Sequence, residues 1–529
     1  MRALTSSPRV AESVAALLLL ALGASLLLAA SRKSVTIDEE VLIPAGFQHL
    51  ARGDFRPVNE HPPLAPALAA APLLVLGVEA PRLEGLGLSE AQQSAHFSVP
   101  FWRANAGALR AVSFWARVPA VLLTLALGAL LFVYTRRLFG PLAAVFAVAL
   151  FTCEPTVLAH GRVAHTDIPS ALGLLLFCHA LRSYAREPRA RRALLVGLAC
   201  GLAVLTKFSM LALAPLLLAA GVVWVWRAPR RELPRRQVLR HFAVALLAAW
   251  VTLHAGYYFD GRALESSELA RVEAGGDGDS AASALRLAAR VLPADFVAGV
   301  GYQIAHNREG HQAFLLGEYR TRGWWYYFPV AFALKTSLPF LMLTLASVAW
   351  AAWRVRHGER EFLYALAPPL LFFALASATA INIGVRYVLP ALPFLCALGG
   401  ALLARLWGAR RGRAPCALVA LACVGWMALE AWLAFPHYMP YVNQLARARP
   451  GWTYLSDSNV EWGDDVGALA AYLHERGETR VTAAVLSERM LSYHGIEVVS
   501  PYDGAGAGGR PRYTAVGASH LNGSTVPWT

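Results

Sequence analysis

Val10-Ala-Glu-Ser-Val-Ala-Ala-Leu-Leu-Leu-Leu-Ala-Leu-Gly-Ala-Ser-Leu-Leu-Leu-Ala-Ala30 is an apolar run long enough to cross a bilayer, and a pair of adjacent acids, Asp38-Glu39, stands just beyond it. Asn59-Glu60-His61-Pro62-Pro63 follows in the same polar stretch. Ionisable groups at the membrane edge are costly unless used, so a multi-span protein rarely keeps such a pair for nothing. The arrangement points to chemistry at the membrane surface more than to a pore or a scaffold.

Composition agrees. The chain has 529 residues, of which 57% are hydrophobic and 16% charged. Soluble domains hold roughly 45–50% apolar and about 25% charged residues. A polytopic membrane protein with a modest soluble part is expected. The net charge of +14 could suggest nucleic acid, but the basic runs are short and lie between apolar spans, at 136–137, 186–192, 227–240, 354–360 and 410–413. That is the positive-inside pattern of cytoplasmic loops, and it argues against a nucleic-acid partner. Only Lys33, Lys207 and Lys335 are lysines, and the last two lie within or at the ends of apolar segments. The six cysteines all fall in apolar stretches without metal-ligand spacing and read as small buried hydrophobes. The first span is expected to stay as a helix rather than to be cleaved as a signal peptide.

Runs of about 20 apolar residues predict about eleven spans. They lie near 10–30, 114–135, 141–159, 166–185, 192–206, 208–226, 241–257, 324–352, 362–380, 387–407 and 415–434. The stretch 64–78, with Pro66 and Pro72, is too short to cross and is expected to lie in the interface. The predicted architecture is an α-helical polytopic membrane domain over 1–434, with extracytoplasmic loops at 31–113 and 257–323, and a small extracytoplasmic α/β module over 435–529. In that module 479–486 reads as a strand, and Ser456-Asp-Ser-Asn-Val-Glu-Trp-Gly-Asp-Asp465 as a loop leading into a helix near 466–476. The last 25 residues, rich in glycine, read as loosely ordered, and Asn522-Gly523-Ser524 matches a glycosylation acceptor common by chance. With the N-terminus inside, nearly every unusual polar residue falls on the outer side, while the inner loops offer little but arginine.

Each outer residue has a plainer reading beside the chemical one. Asp38-Glu39 is a general base or a metal holder, or an acidic cap opening a helix. His61, fixed by its prolines, donates to a phosphate or is an ordinary loop histidine. Asp167, before Ile168-Pro169, looks like a helix cap, which leaves Arg162 and His165 at the same depth unexplained. A phosphate or sugar site would explain them. Lys207 and Arg386 snorkel, or neutralise a leaving phosphate. Lys335 lies deeper and needs a partner or a function. Trp324-Trp325-Tyr326-Tyr327 is most simply an aromatic belt. His306, Glu309 and His311 do not have the spacing of a known zinc motif, and no metal ligands are assigned.

Asp38-Glu39 after the first span, the His61-Pro62-Pro63 loop, Arg162 to Asp167-Ile-Pro169 and Asn382-Ile-Gly-Val-Arg-Tyr-Val-Leu-Pro390 together resemble the GT-C glycosyltransferases, over about residues 10–435. The resemblance is to the branch of dolichyl-phosphate-mannose protein mannosyltransferases and the aminoarabinose lipid A transferase. It implies transfer of a sugar from a polyprenyl-phosphate carrier to a hydroxyl acceptor, with inversion, at the outer face of a bacterial inner membrane. Asp38 matches the family's catalytic acid, and Glu39 would position the acceptor or support Asp38. The aminoarabinose branch has Glu-Lys-Pro where this chain has Glu60-His61-Pro62, so His61 inherits the contact to the carrier phosphate. Arg162, Lys207 and Arg386 join it as phosphate partners, and Glu60, His165 and Asp167 as substrate contacts. No cofactor is required, and a divalent cation stays open. The loop 257–323 is too short for the β-trefoil of the mannosyltransferases, which weakens a protein acceptor. The competing class is a transporter or flippase of a lipid-linked sugar, which Lys335 alone fits.

Overall fold

The computed structural model describes residues 8–227, 234–274, 278–408, 413–500 and 510–522. Residues 523–524 of the acceptor motif, parts of the last 25 residues and parts of the basic runs at 227–240 and 410–413 lie outside them; within the last 25, Thr514–Val516 is a strand and Ala518–Leu521 a short helix, so that stretch is more ordered than expected.

Among the described residues, eight helices are long and apolar enough to cross a membrane. The principal helices are α1 Pro8–Arg32, α2 Ile37–Arg52, α3 Leu64–Ala70, α4 Leu109–Phe139, α5 Pro141–Cys153, α6 Asp167–Arg186, α7 Ala190–Val204 and α8 Leu213–Arg227. They continue with α9 Arg235–Gly256, α10 Ala294–Glu309, α11 Tyr327–Lys335, α12 Leu338–Arg356, α13 Leu363–Ser377, α14 Leu392–Trp407 and α15 Arg413–Ala434. The expected count of about eleven spans falls because α5, α7 and α13 are only 13, 15 and 15 residues long. α5 and α7 stop where a polar residue must be placed. Glu154 ends α5 and caps the next short helix, and Thr206-Lys207 separates α7 from α8. The span expected over 324–352 breaks at Thr336-Ser337, because Pro339 fits only the first turn of a helix.

The supposed loop 31–113 is largely helical. α2 opens with a capping box and packs against α3, so closely that a side chain at Gly46 would collide with the Pro66 carbonyl. α14 is the central helix. Its first half is buried on nearly all sides, and Gly400 lets its backbone approach α5, as small residues do in membrane bundles.

The segment after α15 forms the predicted α/β module. Helix α16, Val466–His474, precedes a three-stranded parallel sheet. In it β1, Arg480–Ala484, lies between β2, Glu497–Val499, and β3, Thr514–Val516, with Val481 opposite Val498 and Ala483 opposite Ala515. A short hairpin not read from the sequence joins Ala313–Leu315 to Glu318–Arg320, and Leu315 bridges to Leu455 of the tail. The tail is therefore stitched to the loop between α10 and α11.

Candidate active site

The site begins at the capping box. Thr36 Oγ1 accepts the Glu39 amide at 3.2 Å, and Glu39 Oε2 accepts the Thr36 amide at 2.9 Å. The Glu39 carboxylate also meets Arg117 from α4 in a fork, with Nε–Oε1 2.8 Å and Nη2–Oε2 2.6 Å, and accepts the Ala164 amide at 2.9 Å. Arg117 donates in turn to the carbonyls of Ala30, Lys33 and Ser34. Both side chains are fully buried. Burial opposes the charge on Glu39, yet Arg117 and the two amides hold its carboxyl below the usual range. This knot ties α1, α2, α4 and the turn before α6 together. Glu39 has no oxygen left for an acceptor, which corrects that half of its expected role.

Asp38, one residue earlier, points elsewhere because adjacent helical residues diverge by about 100°. Its Oδ2 meets His165 Nε2 at 2.9 Å and Arg386 Nη1 at 3.1 Å, and its side chain stays 27% exposed. His165 Nδ1 lies 3.0 Å from Asp167 Oδ2, so the imidazole bridges two carboxylates. Asp167 Oδ1 accepts from Lys207 Nζ at 2.6 Å, and its Oδ2 lies 3.7 Å from Arg386. Thr166 makes no side-chain cap, and the Asp167 carboxylate serves the two cations. Burial alone would raise the Asp38 carboxyl, but Arg386 and His165 hold it well below the ordinary carboxylate range.

Arg386 lies on the loop after α13 and is clamped on two further sides. Its Nε donates to Ser458 Oγ at 3.0 Å, and its guanidinium lies 4.3 Å from the centre of the Trp462 ring. A side chain at Gly384 would strike Ser458 Oγ. His61 meets the His165 ring edge-on, with centroids 5.4 Å apart. Burial, reinforced by His165, pushes His61 down to about 3. It enters the site as a neutral hydrogen-bonding group, not as a cation. Glu60 is raised by burial and hydrogen-bonds toward Tyr302.

Beside this cluster a cleft of about 310 Å³ opens. Glu60, His61, Lys207, Gln303, Asn307 and Thr379 are among its polar lining, and Phe208, Phe372 and Leu375 among its apolar lining. Lys207 Nζ also lies 4.4 Å from the Tyr387 ring centre. A charged head region that runs into an apolar body suits an amphiphile with an anionic head.

Arg162 is the residue the structure moves out of the site. Its Nη2 bonds Asp464 Oδ2 at 2.5 Å, and its fully buried side chain faces the tail, not the cleft. Lys335, the residue that fitted a transporter, donates to the carbonyls of Met439 at 2.6 Å and Asn459 at 2.5 Å and so anchors the tail. All three lysines are buried and bonded, at 6%, 8% and 5% exposure for Lys33, Lys207 and Lys335. His306 Nε2 and His311 Nδ1 lie 3.2 Å apart, while Glu309 pairs with Arg271. Arg117, Ser458, Trp462 and Asp464 were not read as site residues. The cluster of small polar residues at 456–459 was the available signal.

A helical core with a partly open aspartate just beyond the first span and cations beside a cleft resembles the GT-C glycosyltransferases, and the comparisons with known proteins point the same way. Residues 100–255 match the family described as dolichyl-phosphate-mannose-protein mannosyltransferase. ArnT from Cupriavidus metallidurans in the apo state superposes with a TM-score of 0.51 at 14% identity, covering 92% of this chain and 86% of that one. The same protein bound to undecaprenyl phosphate gives 0.49 at 15% identity, covering 97% and 88%. The oligosaccharyltransferase AglB from Archaeoglobus fulgidus, in complex with an inhibitory peptide and a dolichol-phosphate, gives 0.49 at 12%, covering 93% and 64%. No curated protein matches the chain by sequence.

Proposed function

We propose that this chain is a membrane glycosyltransferase that moves a sugar from a polyprenyl-phosphate carrier to a hydroxyl acceptor, with inversion, at the outer face of a bacterial inner membrane. The observation that carries the reading is the position of Asp38: partly exposed, and joined through Arg386, His165 and Asp167 to Lys207 at the head of the cleft.

The chemistry is one displacement. The acceptor oxygen bonds to the anomeric carbon as the bond from that carbon to the phosphate oxygen breaks. Asp38 takes the hydroxyl proton. The leaving phosphate keeps the bonding electrons, and its charge is met by Lys207 and Arg386, with His61 donating as a neutral imidazole. In the resting site Arg386 keeps Asp38 ionised but weakly basic. An incoming phosphate would share Arg386 and so raise the proton affinity of Asp38 when the sugar arrives. On this reading Lys207 and Arg386 neutralise the leaving charge, and a divalent cation is not required for it.

The test is sugar transfer in membranes from radiolabelled undecaprenyl-phosphate sugars, comparing wild type with Asp38→Asn. Loss of transfer with the protein still inserted is the expected result. Equal transfer by both would remove Asp38 from the mechanism.

A further inference from the structure

The tail segment that clamps Arg386 carries one acid that neither the fold nor the proposed chemistry uses. Asp457 adopts a left-handed backbone, φ 55°, which residues other than glycine seldom take and which tends to persist where function demands it. Its own amide donates to Ser519 Oγ at 3.0 Å, and its Oδ1 accepts the Ser458 amide at 2.5 Å. The next two residues lock this conformation against the site. Ser458 Oγ takes the Arg386 bond, while Asn459 Oδ1 accepts the Val385 amide at 2.9 Å and Nδ2 donates to the Tyr327 hydroxyl at 2.9 Å.

Asp457 thereby lines a recess of about 30 Å³ with His311, Tyr327, Asn382 and Ser456. That volume holds roughly one water-sized group. Asn382 Oδ1 is already taken by the Trp324 amide at 2.7 Å, the Tyr327 oxygen accepts from Asn459, and His311 Nδ1 lies 3.2 Å from His306 Nε2. The Asp457 carboxylate, the Tyr327 O–H and the other His311 nitrogen are left to meet an incoming group. Ser458, the next residue, carries the Arg386 bond, so the recess lies one residue away from the group that clamps the guanidinium beside Asp38. Burial raises the Asp457 carboxyl above its ordinary value, against the Ser458 amide that lowers it.

We infer that this recess receives one polar substituent, a hydroxyl or an amino group, of the sugar being transferred, with Asp457 as its hydrogen-bond acceptor. The inference rests on the polyprenyl-phosphate reading above and deepens it, by making the tail a reader of donor identity.

The experiment uses the full chain in detergent. Undecaprenyl-phosphate-linked mannose, glucose, galactose and 4-amino-arabinose are offered first. The donor that works is then offered as analogues each lacking one substituent. Asparagine tolerates a left-handed backbone well, so Asp457→Asn keeps the loop while weakening the acceptor. The variant is expected to lose about tenfold or more in kcat/KM with the parent donor, as when a charged hydrogen bond is lost. With one analogue, the one that lacks the substituent the recess reads, wild type and variant should become nearly equal. Binding of sugar-free undecaprenyl phosphate, read by its protection against thermal unfolding, should be unchanged. An unaltered kcat/KM, an equal loss with every analogue, or a loss of undecaprenyl phosphate binding would each overturn the assignment while leaving the reaction standing. No transfer by wild type from any donor would overturn the reaction, and the assignment with it.

Discussion

Asp38 and Glu39 are neighbours in sequence, both acidic, and each is paired with a guanidinium from a distant helix or loop. Their surroundings differ in one respect. The Glu39–Arg117 pair is closed: every oxygen has a donor, and neither side chain reaches solvent. The Asp38–Arg386 pair is open. Asp38 keeps 27% of its side chain exposed, and Arg386 is shared among Asp38, Asp167, Ser458 and Trp462. A saturated pair can only hold structure. An unsaturated one, whose cation has several claimants, can change partners when a ligand arrives.

The contrast can be broken in several ways. The largest effect is expected from Asp38→Asn, which should cut kcat by about 10²–10⁴, the usual contribution of a general base. Its unfolding midpoint in detergent should stay within a few degrees of wild type. Glu39→Ala should do the reverse. Removing one partner of a buried pair costs about 3–5 kcal/mol, so insertion yield and thermal stability should fall first. If Glu39→Ala were stable and inactive, the division between the two acids would be wrong.

A finer probe is the pH profile. The Asp38 carboxyl sits below the ordinary range because Arg386 and His165 favour its charged form. The acidic limb of transfer due to Asp38 should therefore lie below the usual carboxylate range. Arg386→Gln removes a positive charge, raises the Asp38 pKa and should move that limb to higher pH, in addition to lowering the rate. A limb that stayed put would detach Asp38 from Arg386. The smallest expected effect is that of EDTA. If Lys207 and Arg386 meet the leaving phosphate, chelation should change the transfer rate by less than about twofold, against the several kcal/mol that a catalytic ion supplies. A large loss restored by Mg²⁺ or Mn²⁺ would bring a divalent ion into the mechanism.

Much of this was legible in the sequence, for a physical reason. Ionisable residues are expensive at the membrane edge, so those present stand out, and the charge asymmetry of the loops says which edge they share. Asp38, His165, Asp167, Lys207 and Arg386 were collected in that way, and the structure brings them together. Depth does not say which way a side chain turns about the bundle axis. Arg162 was misplaced for that reason, and Arg117 was passed over because it sits inside an apolar span. The role of the tail was hidden because its partners, Arg386 and Arg162, are remote in sequence.

That tail also sets an order of assembly. Residues 456–465 leave the ribosome after every described membrane helix, yet they carry the hydroxyl and the indole that fix Arg386. A nascent chain that has finished inserting its helices still has a loose guanidinium over Asp38. Completion of the centre therefore waits for the segment beyond the last membrane helix to fold against it.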